Sequence, residues 1–239
     1  VIEGSGDALD FYVVHTYGFD SSPSGEEAVA RAVELWPQEL RPIIDRLADV
    51  PLALTEYNLV SFESGDTERT MTQAMNALYL ADSLGQLVVH DVPIAAVWTL
   101  ASGTCWPDCD PGWAGTDYGL VRVDDLEPQP AFEAFRAWSR AGTHRYDAIL
   151  DGDVRFYPTR DDDGRVAVIV VNTGETVTVR ARLDGAGPGV AATLSGSTAA
   201  ALDADGMTGF DAGEVAISGS GDVEFQLPAR SVSVLEVES

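Results

Sequence analysis

The 239-residue chain contains no lysine: its 14 basic residues are all arginine, set against 39 Asp and Glu, and the formal net charge is −25. Such a charge repels nucleic acid and anionic membrane surfaces, and no basic stripe offsets it, so neither is expected as a partner. Two origins fit this composition equally. A high-GC genome favours Arg, Ala, Gly, Val and Asp codons; adaptation to high salt favours a dense carboxylate surface. Long hydrophobic runs are also missing, and none reaches the roughly 18 residues that a membrane-spanning helix requires. Cysteine is scarce. The two that occur, Cys105 and Cys109, stand in Thr104-Cys105-Trp106-Pro107-Asp108-Cys109. A zinc site would need two more nitrogen or sulfur ligands, and the three histidines are scattered at positions 15, 90 and 144. No metal is therefore expected. A small disulfide between Cys105 and Cys109 is the preferred reading, with two free thiols as the alternative. A disulfide would suit an extracellular or otherwise extracytoplasmic setting. The opening Val1-Ile2-Glu3-Gly4-Ser5 has no initiator Met, no basic n-region and no apolar h-region, so a processed, truncated or fragmentary chain is expected.

No Gly-rich phosphate loop follows an apolar run, and the Gly-x-Ser-x-Gly elbow of serine hydrolases is absent; no cofactor is expected. Asp203-Ala204-Asp205-Gly206 resembles part of a calcium loop, but Ala201 and Ala212 fall where carboxylate ligands are needed. Asp161-Asp162-Asp163-Gly164 reads as a solvated hairpin turn. His90 and His144 have no visible partner.

What remains is ample material for a core: 45% of residues are apolar. Residues 9–14 read as a buried strand. A helical pattern follows through Val29, Val33, Trp36, Leu40, Ile43 and Leu47, with Pro37 and Pro42 expected to split or kink it. A second short apolar run covers 50–55. The spacing of Met71, Ala74, Met75, Leu78 and Ala81 predicts a helix over 67–85, with Gly85 as its C-cap. A third strand covers 93–100, and a helix over 130–141 turns Phe132, Phe135 and Trp138 inward. This alternation indicates parallel strands in an α/β layer. Near residue 150 the character changes to short β-branched runs between Gly, Asp and Pro turns, which predicts an antiparallel sandwich. Strands are read at 165–172, 176–183, 223–227 and 231–237. The Gly, Ala and Ser-rich stretch 184–221 gives only weak strand signals.

In parallel α/β structures, reactive groups collect at the C-terminal ends of strands. Here those ends carry His15-Thr16-Tyr17, Thr55-Glu56-Tyr57-Asn58 and Trp98. Phe11 to Tyr17, Leu54 to Asn58 and Ala96-Val97-Trp98 resemble barrel strands six, seven and eight of clan A retaining glycoside hydrolases. The likeness is to the α-L-arabinofuranosidase and β-xylosidase type, with the xyloglucanase type as a close competitor. The run 166–172 and Leu227-Pro228-Ala229-Arg230-Ser231-Val232 resemble the β-sandwich that follows that barrel.

The resemblance implies an α/β partial TIM barrel, its last three strand–helix units, over 1–149, then an all-β antiparallel sandwich over 150–239. It implies Glu56 as the catalytic nucleophile, with Tyr17 donating a hydrogen bond that holds it. His15 would shape the same wall of a carbohydrate site, and Trp98 would form its floor, since sugar C–H faces stack on aromatic rings. Trp106 and Trp113 would either extend that platform or cover the cysteine pair. The general acid/base of this clan ends strand four, which would lie upstream of Val1. Retention needs two carboxyls about 5–5.5 Å apart, so an upstream polypeptide is expected to supply the second. Two function classes follow: an enzyme part acting on plant-type polysaccharide or oligosaccharide, or a non-catalytic carbohydrate-binding or structural module.

Overall fold

The computed structural model describes residues 8–47, 50–102, 116–183 and 190–238. Three strands, β1 (Tyr12–Phe19), β2 (Leu52–Val60) and β3 (Ile94–Val97), pair in the order β1-β2-β3. Both pairings are parallel. Helix α1 (Gly25–Leu47) crosses from β1 to β2, and α2 (Ala74–Val89) from β2 to β3. A third helix, α3 (Phe132–Trp138), precedes the change to antiparallel pairing.

The register of α1 starts at a reciprocal cap: Ser24 N donates to Glu27 Oε2 at 2.9 Å, and Glu27 N donates back to Ser24 Oγ at 3.3 Å. Of the expected split or kink, the split does not occur: one helix runs through both Pro37 and Pro42. Pro42 is exposed, as is Gln38, whose carbonyl it releases, so water can take that bond. Meanwhile Leu35, Trp36, Leu40 and Leu47, all buried, fasten the helix on both sides of the prolines.

Strand β1 also departs from expectation. It begins at Tyr12 rather than residue 9, and Phe11 and Val13 are 49% and 45% exposed, because β1 is a sheet edge among the described residues. The helix α2 ends at Val89, beyond the expected stop at Gly85. Gly85 is not a cap. It is a point of close contact, where an added Cβ would lie 2.3 Å from Tyr157 Cζ.

The antiparallel half has nine strands among the described residues: β4 (His144–Arg145), β5 (Ile149–Asp151), β6 (Val154–Arg160), β7 (Val166–Asn172), β8 (Val177–Arg182), β9 (Ala191–Thr198), β10 (Thr208–Val215), β11 (Asp222–Leu227) and β12 (Ser231–Glu238). Seven form one sheet, β10-β9-β12-β7-β6-β4 with β5 also on β6; β11 and β8 form a second. Alternation on β7 explains its continuous apolar run. Ala167, Ile169 and Val171 join a core shared with the helices, while Val168 and Val170 face the interior between the two sheets. Strands β9 and β10 fill the stretch whose composition gave only weak signals. Ala191–Thr198 is held by pairing to both β12 and β10, so its neighbours rather than its own propensity make it a strand.

One apolar cluster spans the seam between the parallel layer and the large sheet, running from Trp36 and Leu78 to Tyr157 and Val234. Trp138 Nε1 donates to Ala81 O at 2.9 Å, and its ring lies 5.7 Å from that of Tyr157. Tyr157 donates to the buried Asp82 carboxylate at 3.1 Å, and Arg155 Nε stands 3.5 Å from the other Asp82 oxygen.

Candidate active site

Because β1 and β2 run in the same direction, their C-terminal ends share one rim. Register places Val14 beside Leu54 and then His15 beside Glu56, so β2 carries one extra residue here. The same slip recurs on the other side, where Leu54 meets Ala95 and Tyr57 meets Val97. A β-bulge of this kind breaks the alternation that would send Thr55 and Glu56 to opposite faces. Both side chains consequently reach His15. Its Nε2 lies 2.8 Å from Thr55 Oγ1 and its Nδ1 3.5 Å from Glu56 Oε1. Tyr17, two residues further along the same face of β1, donates its hydroxyl to Glu56 Oε2 at 3.0 Å. Burial, the hydrogen bond and the carboxylate charge together push the Tyr17 phenol well above the ordinary tyrosine range, so it stays a donor at neutral pH.

Glu56 was expected at the end of a strand over 50–55. It lies instead in the middle of β2, which continues to Val60. The bulge is what lets it project: its neighbours Leu54 and Tyr57 are buried, yet the Glu56 side chain is 29% exposed. Tyr57 packs edge-on against Trp36 in the core, ring centroids 5.9 Å apart.

Trp98 follows β3 and is 47% exposed, which excludes a core tryptophan. Its backbone is held by Asn58, whose Nδ2 donates to Trp98 O at 2.6 Å. Asn58 is the register partner of Tyr17. The structure thus brings His15, Tyr17 and Glu56 into direct contact and ties Trp98 to them through Asn58. A cavity of about 330 Å³ opens beside Trp98, lined also by Ser61, Phe62, Glu63, Ser64 and Tyr118. Cys105, Cys109, Trp106 and Trp113 lie outside the described residues.

Two groups near this rim had no signature in the sequence. Asp66 is fully buried, yet it accepts hydrogen bonds from Ser22 Oγ at 2.8 Å, Thr70 N at 2.8 Å and Met71 N at 3.1 Å, and also from Thr70 Oγ1 and Thr116 Oγ1. It pins the segment after β2 to the one after β3. Tyr118 is the other: it sits in a Gly and Asp-rich stretch with no periodicity. A larger cavity, about 1220 Å³, opens in the antiparallel half between β6, β7 and β8, and none of its lining residues belongs to the Glu56 cluster. Among the described residues, no group of three or more His, Cys, Asp or Glu is arranged to hold a metal ion.

No protein-family model and no curated protein sequence matches this chain. Solved structures do match. An α-L-arabinofuranosidase from Thermotoga maritima, solved as an arabinose complex, superposes with a TM-score of 0.73 at 18% identity, over 100% of this chain and 55% of that one. The chain has the fold of glycoside hydrolases. A monomeric β-xylosidase from Caulobacter crescentus gives 0.60 at 18% identity, over 99% of this chain and 57% of that one. A Paenibacillus polymyxa xyloglucanase of glycoside hydrolase family 44 gives 0.65 at 14% identity, over 100% and 48%. The chain therefore spans about half the length of the solved structures it matches. At these identities the likeness concerns the fold; the chemistry has to be argued from the residues themselves.

Proposed function

We propose that this chain is the nucleophile-bearing, C-terminal part of a retaining glycoside hydrolase that acts outside the cytoplasm on plant-type polysaccharide or oligosaccharide. The α-L-arabinofuranosides are the first substrates to test. On this reading β1, β2 and β3 are strands six to eight of a (β/α)8 barrel, residues 1–149 belong to it, and residues 150–239 form the sandwich domain. An upstream polypeptide completes the barrel and brings the general acid/base. The observation that carries the proposal is the Tyr17 hydroxyl on Glu56 Oε2, 3.0 Å apart at the shared rim of two parallel strands. A solvated strand-end glutamate has no need of a phenol held at that distance.

The chemistry follows from the placement. Glu56 attacks the anomeric carbon as the bond to the leaving oxygen breaks, and the upstream acid protonates that oxygen. Water then attacks the glycosyl–Glu56 ester, giving its proton to the same upstream group. Tyr17 holds one carboxylate oxygen so that the other is aimed at the sugar, while Trp98 offers a face on which the sugar stacks. In the complete protein, Glu56→Gln keeps the fold and sugar binding but stops formation of the covalent intermediate. A 2-fluoro glycoside inactivator, read by peptide mass spectrometry, labels Glu56. Full activity in the Glu56→Gln variant would overturn the proposal.

A further inference from the structure

The two sheets of the antiparallel half are unequal. Seven strands form the larger, and among the described residues β8 pairs with β11 alone. The space left between them is the cavity of about 1220 Å³, above the roughly 300–1,000 Å³ of small-molecule sites. Tyr146, Ile149, Phe156 and Val168 give it an apolar floor, and β8 forms its wall along the whole strand. Tyr146 and Ile149 remain exposed. So do Val177 and Ala181, although Val179 on the same face of β8 is buried. Leu183 N donates to Gly221 O at 2.9 Å. Antiparallel ladders alternate, so the register gives the odd-numbered residues of β8 to β11 and turns the amides of Thr178, Arg180 and Arg182 to the free edge. Arg180 and Arg182 do not guard that edge: they donate to Glu224 and Asp222 of β11, at 2.6 and 3.0 Å. An edge bordered by exposed apolar surface is a template for another strand, and natural proteins keep such edges covered.

We infer that β8 takes a third strand: an extended segment of the upstream polypeptide lies in this groove, its backbone on the Thr178, Arg180 and Arg182 amides and its alternate apolar side chains on the floor. The inference rests on the reading that polypeptide upstream of Val1 completes the barrel, and it gives part of that polypeptide a place in the sandwich. The six residues of β8 offer about 20 Å of edge at about 3.4 Å per residue, the length of an ordinary strand. Main-chain pairing supplies affinity, and the pockets for alternate side chains supply specificity. A segment already tethered to this molecule reaches the groove at a far higher effective concentration than a free partner. Charge fixes the rest of the occupant's chemistry. Three of the protein's 14 arginines line the groove, against two of its 39 acidic residues. An acidic residue on the outward face of the new strand stands beside Arg180 or Arg182, which then has a carboxylate on both sides. A second copy of β8 would instead crowd both copies' arginines onto one face, with a charge of −25 on each molecule, which disfavours it.

The test takes three measurements on the full-length protein. Hydrogen exchange is read residue by residue, by mass spectrometry with electron-transfer fragmentation. The Thr178, Arg180 and Arg182 amides exchange about 100-fold more slowly than unstructured amides, or slower still, because a paired strand releases them only on local unfolding. In the second arm Thr178, whose side chain is exposed, is replaced by photoreactive benzoylphenylalanine. Irradiation joins it to a segment upstream of Val1 in which apolar residues alternate with polar or acidic ones. Labelling of Glu56 by the 2-fluoro glycoside is the third. Free exchange at the three amides overturns the inference, and Glu56 labelling in that sample leaves the glycosidase reading standing. A cross-link to a second copy, seen in a mixture of isotopically light and heavy protein, or no cross-link to upstream residues, overturns the choice of occupant. Slow amides and the upstream cross-link without Glu56 labelling sustain the third strand and overturn the glycosidase reading.

Discussion

Replacing Gly85 by Ala tests how the two halves of the molecule are joined. In an exposed helix interior this change stabilises by roughly 1 kcal/mol, since glycine carries the larger backbone entropy cost. Gly85, however, faces Tyr157, and an added Cβ would lie 2.3, 2.4 and 2.5 Å from three atoms of its ring. The ring has nowhere to retreat. Trp138 packs against it, its hydroxyl donates to Asp82 at 3.1 Å, and Gln86 Nε2 donates to that hydroxyl at 3.2 Å. Overpacking of this kind costs about 1–3 kcal/mol, and pulling the phenol off the buried Asp82 carboxylate adds about 1–3 kcal/mol. After the helix gain is subtracted, a net loss of about 3 kcal/mol remains. For a chain of this size that is a drop of about 6–12 °C in melting temperature. Circular dichroism melts of the two proteins decide the matter by sign: a Gly85→Ala variant that melts higher than the parent would refute the contact and leave only helix propensity in force.

The same seam makes stability depend on pH. Burial pushes the Asp82 carboxyl up to about 7, against the opposing pull of Arg155 and the Tyr157 hydrogen bond. A carboxyl raised above its unfolded value binds protons more strongly when folded. Its contribution is therefore present in full at about pH 4 and is lost as pH rises to about 7, by up to about 4 kcal/mol. Urea midpoints taken across that window fall with pH in the parent, and the slope flattens in Asp82→Asn; an unchanged slope in that variant would remove Asp82 as the cause. At the rim, Tyr17→Phe removes one hydrogen bond to a charged group, worth about 1.5–3 kcal/mol. In the complete protein, on the proposed reading, kcat/KM toward an aryl glycoside falls about 10- to 100-fold. A loss smaller than about twofold would mean that Tyr17 only packs.

The sequence by itself determined the class of the structure and the identity of the rim. Apolar runs followed by helical spacing mark parallel strands, and polar or aromatic groups where an apolar run ends make His15, Tyr17, Glu56 and Trp98 legible from local pattern, although Glu56 lies in the middle of β2 and not at its end. Tertiary structure decided what local pattern does not encode. Whether Pro37 and Pro42 break α1 depends on what the helix face buries on either side of them. Gly85 looks like a cap because glycine commonly is one; only the approach of Tyr157, 72 residues later in the chain, gives it another meaning. Strands β9 and β10 have little propensity of their own and exist through their partners. The bulge at Thr55 and Glu56 arises from pairing on both sides of β2, and it alone turns two consecutive side chains toward His15. Tyr118 and Asp66 acquire their places because loops distant in sequence close over one rim. Propensity and periodicity act over a few residues, whereas register and close packing are properties of contacts between segments. They come into being only when the chain has folded.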